Sequence, residues 1–161
     1  MATKEIMRPA GRNVRDKTIQ YVDIDYSKHS SVLVYPSTTQ ALTANVWKKL
    51  VFSTTSTNSL LEWDATNNRF IPKNNGNYSI FASMGLSAVN SSGNSLALYK
   101  NGSLFAILST IYNTNGATVV SGSILAKLFV GDYIEVWART TKATTVSSAI
   151  SETRFSSEVV G

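Results

Sequence analysis

The sequence predicts an all-β chain: an antiparallel jelly-roll sandwich preceded by an extended N-terminal arm. Three observations carry this. The polarity is largely uncharged: only 16% of the 161 residues are charged, and Ser, Thr and Asn make up roughly a third of the chain, a composition that suits strands and turns rather than long helices. The apolar residues come in short runs rich in Val, Ile, Tyr and Phe, which favour a pleated surface. Turn signals separate these runs at intervals of about 8–12 residues, and no segment holds a helical period, which gives about eight to ten strands.

The elements follow in order. Residues 1–31 form the arm. Lys4, Arg8, Arg12, Arg15 and Lys17 stand there against Glu5 and Asp16, and Pro9 and Gly11 oppose a long helix. The segment from Ile19 to Tyr26 alternates, with Asp23 and Asp25 on one face and Val22, Ile24 and Tyr26 on the other, as an extended segment would. Residues 32–161 form the jelly roll. Val32 to Tyr35 is a strand stopped by Pro36, and Ala44 to Ser53 is a second, followed by a Ser/Thr/Asn loop. Leu60 to Trp63 and Arg69 to Ile71 flank a turn at Asp64 to Asn68. Asn74 to Asn77 is a turn before a long strand, Tyr78 to Leu86, and Ser91 to Asn94 turns the chain again. Leu96 to Tyr99 and Leu104 to Ile111 are joined through Asn101-Gly102, a pair that suits a two-residue hairpin because both positions need positive φ. Asn115-Gly116 is another such turn, leading into Thr118 to Leu128. Val130-Gly131-Asp132 turns into Tyr133 to Ala138, and a Ser/Thr loop precedes the last strand, Thr153 to Val160.

Composition also narrows the chemistry. Without cysteine there is no disulfide framework and no thiolate chemistry. The single histidine, His29, rules out a multi-histidine metal site, and no orienting group at a suitable spacing makes a nucleophile of its neighbours Ser30 and Ser31. No apolar run approaches the ~18 residues of a membrane span, and the first residues lack the apolar core of an ordinary secretory signal. A net charge of +5 would suit nucleic acid, but the basic residues are scattered outside the arm. No cofactor, metal, nucleic acid or membrane insertion is expected. Glu62 and Asp64, like Asp23 and Asp25, read as solvated strand ends or turn caps rather than a calcium site. Trp137 reads as core, whereas Trp47 and Trp63 suit either core or a sugar-stacking surface.

Five local patterns then occur in a fixed order: Trp47 to Phe52; Trp63 to Pro72 leading into Gly76-Asn77-Tyr78-Ser79-Ile80-Phe81; Leu98-Tyr99-Lys100-Asn101-Gly102; Leu128 to Val136 around Gly131-Asp132; and Arg154 to Val160 around Phe155. This order resembles the globular head of the complement-q-type family, whose fold is shared with tumour necrosis factor, and covers about Tyr35 to Gly161. The family runs as Phe-x-x-Pro, Gly-x-Tyr-x-Phe, Lys-Asn-Gly, Leu-x-x-Gly-Asp and a terminal Phe-Ser-Gly. Here Phe70-Ile71-Pro72 is one residue shorter, Tyr78-Ser79-Ile80-Phe81 one longer, and the end reads Phe-Ser-Ser. The spacing leaves open which of Ile80 and Phe81 points inward. Gly76, Gly102 and Gly131 are expected at tight turns or close backbone approaches, with the Asp132 carboxylate bonding turn amides.

The resemblance implies a threefold homotrimer. Because no collagen-like stalk precedes the domain, it does not imply complement recognition itself. The expected function is a non-enzymatic structural or recognition protein. A bacteriophage virion component fits best: a head fibre, a capsid decoration protein or a tail receptor-binding head. Its arm would anchor to other virion proteins through Arg8, Arg12, Arg15 and Lys17, and its outer surface would touch host glycans. The alternative is a freestanding, extracellular, lectin-like trimer.

Overall fold

The computed structural model describes residues 29–88 and 91–160. Within them lie thirteen strands: β1 (Ser31–Tyr35), β2 (Gln40–Leu42), β3 (Lys48–Lys49), β4 (Thr54–Asn58), β5 (Trp63–Asp64), β6 (Arg69–Phe70), β7 (Gly76–Leu86), β8 (Ser92–Lys100), β9 (Ser103–Asn113), β10 (Thr118–Leu128), β11 (Ile134–Thr140), β12 (Thr144–Val146) and β13 (Arg154–Val159). They form two antiparallel sheets of a jelly roll. The seven-stranded sheet runs β2-β12-β7-β13-β1-β4 with β10 also on β7, and the six-stranded sheet runs β5-β6-β11-β8-β9 with β3 also on β11.

Alternation places the core between the sheets. Val32 and Val34 of β1, Tyr78, Ile80, Ala82 and Met84 of β7, and Leu96 and Leu98 of β8 point inward and are buried. Ile80 is therefore the inward residue of its pair, and Phe81 faces out, half-buried. An aromatic cluster fills one part of the core: Phe155 lies 5.5 Å from Trp63 and 6.0 Å from Phe70 between ring centroids, and Phe52 lies 5.9 Å from Trp63.

Two glycines set how closely the strands approach. A Cβ on Gly122 of β10 would sit 2.6 Å from the Leu108 carbonyl oxygen of β9, where the two sheets close on each other. A Cβ on Gly85 would sit 2.6 Å from Cβ of Glu152, which crosses the outside of β7. Both glycines interrupt strands, which marks close approach.

Several expectations change. Thr54–Asn58 and Thr144–Val146 are strands rather than loops, and Gln40–Leu42 is a further short strand, because polar segments join a ladder wherever a neighbour supplies its hydrogen bonds. Of Ala44 to Ser53, only Lys48–Lys49 is strand. The chain turns at Asn58–Leu61, where Leu61 has φ 55°, so the expected strand at Leu60 begins instead at Trp63. Ser91, also at positive φ, ends the expected turn, and Ser92 already belongs to β8.

Candidate functional site

The signature turns meet at one end of the sandwich. The β8–β9 hairpin closes with Lys100 opposite Ser103, and its central residues Asn101 (φ 53°) and Gly102 (φ 79°) are both at positive φ, as Asn-Gly predicts. Gly131 (φ 100°) opens the turn before β11. Side chains then clasp the two turns together. Asn101 Nδ2 donates to Asp132 Oδ1 at 2.9 Å, and the Tyr133 N–H donates to Asn101 Oδ1 at 2.9 Å. The Phe129 N–H donates to Asp132 Oδ2 at 2.9 Å, and Lys100 Nζ lies 2.8 Å from the same oxygen. Asn75 joins them, accepting from the Val130 N–H at 2.8 Å. Partial burial of the Asp132 carboxyl works to raise its pKa, but the bonds from Lys100, Phe129 and Asn101 and the Lys100 charge outweigh it and hold the group below the usual carboxylate range. A carboxylate so fully engaged is a fastener, not a base.

The remaining signature residues lie elsewhere. Tyr78 and Phe155 are core, with the Tyr78 hydroxyl donating to the Asn74 carbonyl at 2.8 Å. Burial, and then the nearby Glu62 charge, push the Tyr78 phenol up. Gly76 is not at positive φ; it belongs to β7, where a Cβ would stand 3.2 Å from Cγ2 of Val159. Arg8, Arg12, Arg15 and Lys17, with the arm up to residue 28, lie outside the described residues.

Two other candidates move. Glu62 is not solvated but 1% exposed. It is held by the Ser30 hydroxyl at 2.5 Å and the Lys73 N–H at 2.9 Å, while Asn58 Oδ1 fixes its backbone. The positive-φ turn at Leu61 carries it inward, which strand alternation could not foresee. Asp64 does cap its turn, accepting from the Asn67 side chain and N–H and from Arg69, and these bonds lower its pKa. Ser30, committed to Glu62, has no histidine partner; His29 faces Glu158 at 3.8 Å across open surface.

The interaction surfaces are the outward faces. On the seven-stranded sheet, a concavity of about 390 Å³ is lined by Leu33, Thr57, Phe81, Arg154, Ser156 and Glu158. The Arg154 guanidinium sits 5.1 Å above the Phe81 ring. Leu125 and Val119 of β10 extend this face, 65% and 48% exposed. Beside it runs β9, an eleven-residue strand paired only with β8 and exposing Leu104, Phe105 and Ile107.

The outward face of the six-stranded sheet is aromatic. Trp137 is half-buried there rather than in the core, because it alternates with the inward Val136 and Ala138. Its ring stacks on Tyr99 at 4.7 Å and 27°, and Trp47 meets Tyr99 edge-on at 6.3 Å. Trp63 is the core tryptophan. Among the described residues, no three of His, Cys, Asp and Glu come together as a metal site, and no helix is long and apolar enough to cross a membrane.

A family model described as the C1q domain matches residues 34–158. No curated protein matches the chain significantly. Solved structures share the fold at low identity. The Eiger TNF of S. frugiperda has a TM-score of 0.66 and 8% identity, covering 83% of this chain and 94% of that one. The globular domain of zebrafish complement 1qA has 0.59 and 14%, covering 82% and 98%. Murine APRIL at pH 5.0 has 0.64 and 13%, covering 83% and 100%.

Proposed function

This chain belongs to the C1q domain family, and from that premise we propose that it is a non-enzymatic homotrimer with a structural or recognition role. One observation carries the assembly: a single protomer presents both an uncovered apolar edge strand and an apolar-rimmed concave face. A long edge exposing Leu104, Phe105 and Ile107 is an aggregation hazard unless something covers it. An edge on one copy seated on the concave face around Phe81 and Leu125 of the next is a head-to-tail contact, which closes into a ring when the rotation fits. Sedimentation equilibrium of the full chain at micromolar concentration tests this. A mass of three chains is expected, and a mass of one chain overturns the trimer.

Within this reading the protein is a bacteriophage virion component on the particle surface, whether head fibre, decoration protein or receptor-binding head. Residues 1–31 anchor it and residues 32–161 face outward. Supporting this are the five basic residues gathered in the first seventeen, the scarcity of charge elsewhere and the absence of cysteine. Deleting residues 1–28 is expected to leave the trimer intact and abolish incorporation into particles, read by immunogold electron microscopy. Retained incorporation removes the anchoring role. The half-buried tryptophans on the outward face, Trp47 and Trp137, favour glycan contact, which a freestanding lectin-like protein would share.

A further inference from the structure

We propose that the outward face of the six-stranded sheet binds an acidic glycan, with Trp47, Tyr99 and Trp137 meeting the sugar ring and Arg139 meeting its acid group. This rests on the recognition role above and names its site and ligand class. The three rings are half-buried against each other rather than in the core, a costly use of large aromatic side chains unless the surface has a task.

The polar groups around the rings are sorted. The Trp137 indole N–H donates to Glu135 Oε2 at 3.1 Å, and Lys49 Nζ holds Oε1 at 3.0 Å. Glu135 is 8% exposed, so this pair pins the indole in place and leaves no open charge. The Trp47 indole N–H and the Tyr99 hydroxyl make no hydrogen bond to the described residues, so a donor and a hydroxyl remain for sugar hydroxyls.

Charge selects the acid. The carboxylates that register places on this face are each matched by a cation, Glu135 by Lys49 and Asp64 by Arg69 at 3.0 Å. Arg139, two residues beyond Trp137 on the same face, is exposed and has no acidic partner among the described residues; its Nε makes one long contact, 3.4 Å to the Asn45 carbonyl. One free guanidinium beside aromatic rings fits a carboxylate- or sulfate-bearing pyranose. It is too little positive charge for a nucleic-acid track. The concave face belongs to the other sheet, and of the ring cluster only Tyr99 borders the β9 edge, where it pairs with Leu104; Trp47 and Trp137 lie away from that edge, on or against β11.

The test uses the full-length protein and three acidic hexasaccharides (galacturonate, heparin-derived and oligosialic), with maltohexaose as the neutral probe. Titration is read by tryptophan fluorescence and calorimetry. At least one acidic probe is expected to bind saturably, about tenfold or more tighter than maltohexaose. Trp137→Ala is expected to weaken it by about ten- to a hundredfold, and Arg139→Ala to erase the acidic preference, with circular dichroism unchanged in both. No binding by any acidic probe, equal binding of maltohexaose, tighter binding of a dT10 oligonucleotide, or indifference to both variants would each overturn the site. Sedimentation separates the readings: a three-chain mass without sugar binding removes this site alone, and a one-chain mass with sugar binding removes the trimer alone.

Discussion

The two outward faces of this sandwich differ although their inward faces do the same job. On the seven-stranded sheet the outward residues of β13 and β7 are Ser79, Phe81, Ser83, Ser156 and Glu158 around Arg154, and they leave a concavity. On the six-stranded sheet the outward residues are large rings packed together with a pinned ion pair. Small residues and a hollow accept another surface, whereas a preorganised aromatic cluster presents one. A shared core thus leaves each face free to specialise.

Four substitutions test that division. Phe155→Ala empties the ring cluster that supports both sheets and is expected to cost about 3–5 kcal/mol in urea unfolding, abolishing self-association and sugar binding together. If either survives, that face does not depend on the common core. Gly122→Ala pushes a methyl against the Leu108 carbonyl where the sheets close and is expected to cost about 1–3 kcal/mol. Gly116→Ala strains a φ of +87° but meets nothing within 4 Å, so it is expected to cost about 1 kcal/mol or less. A reversed order would show that backbone strain, not crowding, governs these two glycines. Leu125→Glu is expected to change protomer stability by less than about 0.5 kcal/mol yet reduce the sedimenting mass to one chain. A three-chain mass would move the interface off this face.

The clasp answers to pH. Asp132 and Asp64 have folded pKa values below their unfolded ones, so each adds stability that is fully present above about pH 4 and is lost as pH falls through the folded value. Asp132→Asn is therefore expected to lower the melting temperature at pH 7 and to flatten its fall below pH 4. An unchanged acid slope would mean that the bonds from Lys100, Phe129 and Asn101 to the Asp132 carboxylate contribute no net stability.

The turns were the legible part of the fold because Asn-Gly and Gly-Asp carry their own backbone preference. Asn101, Gly102 and Gly131 sit at the positive φ that local chemistry demanded. Gly76 takes the close-approach alternative rather than positive φ, and the neighbour that constrains it, Val159, is far along the chain. Trp137 and Glu62 were misplaced for a similar reason. Alternation gives the period of a strand but not which phase faces the core, and a single positive-φ residue, Leu61, turned Glu62 inward. Gly85 and Gly122 could have been flagged as glycines inside strand patterns, but nothing nearby in sequence names Glu152 or Leu108 as the neighbours they admit.

The sequence by itself determined the class of the molecule: short apolar runs, uncharged polarity and glycine-bearing turns specify an antiparallel sandwich, since these are local properties of each segment. Tertiary contact decided the rest. It brought Asn101, Asp132 and Asn75 into one clasp, sent Trp63 inward and Trp137 outward, and left β9 uncovered beside a hollow. Those outcomes depend on which distant strands pair and in which register, and a pairing energy belongs to two segments at once rather than to either alone.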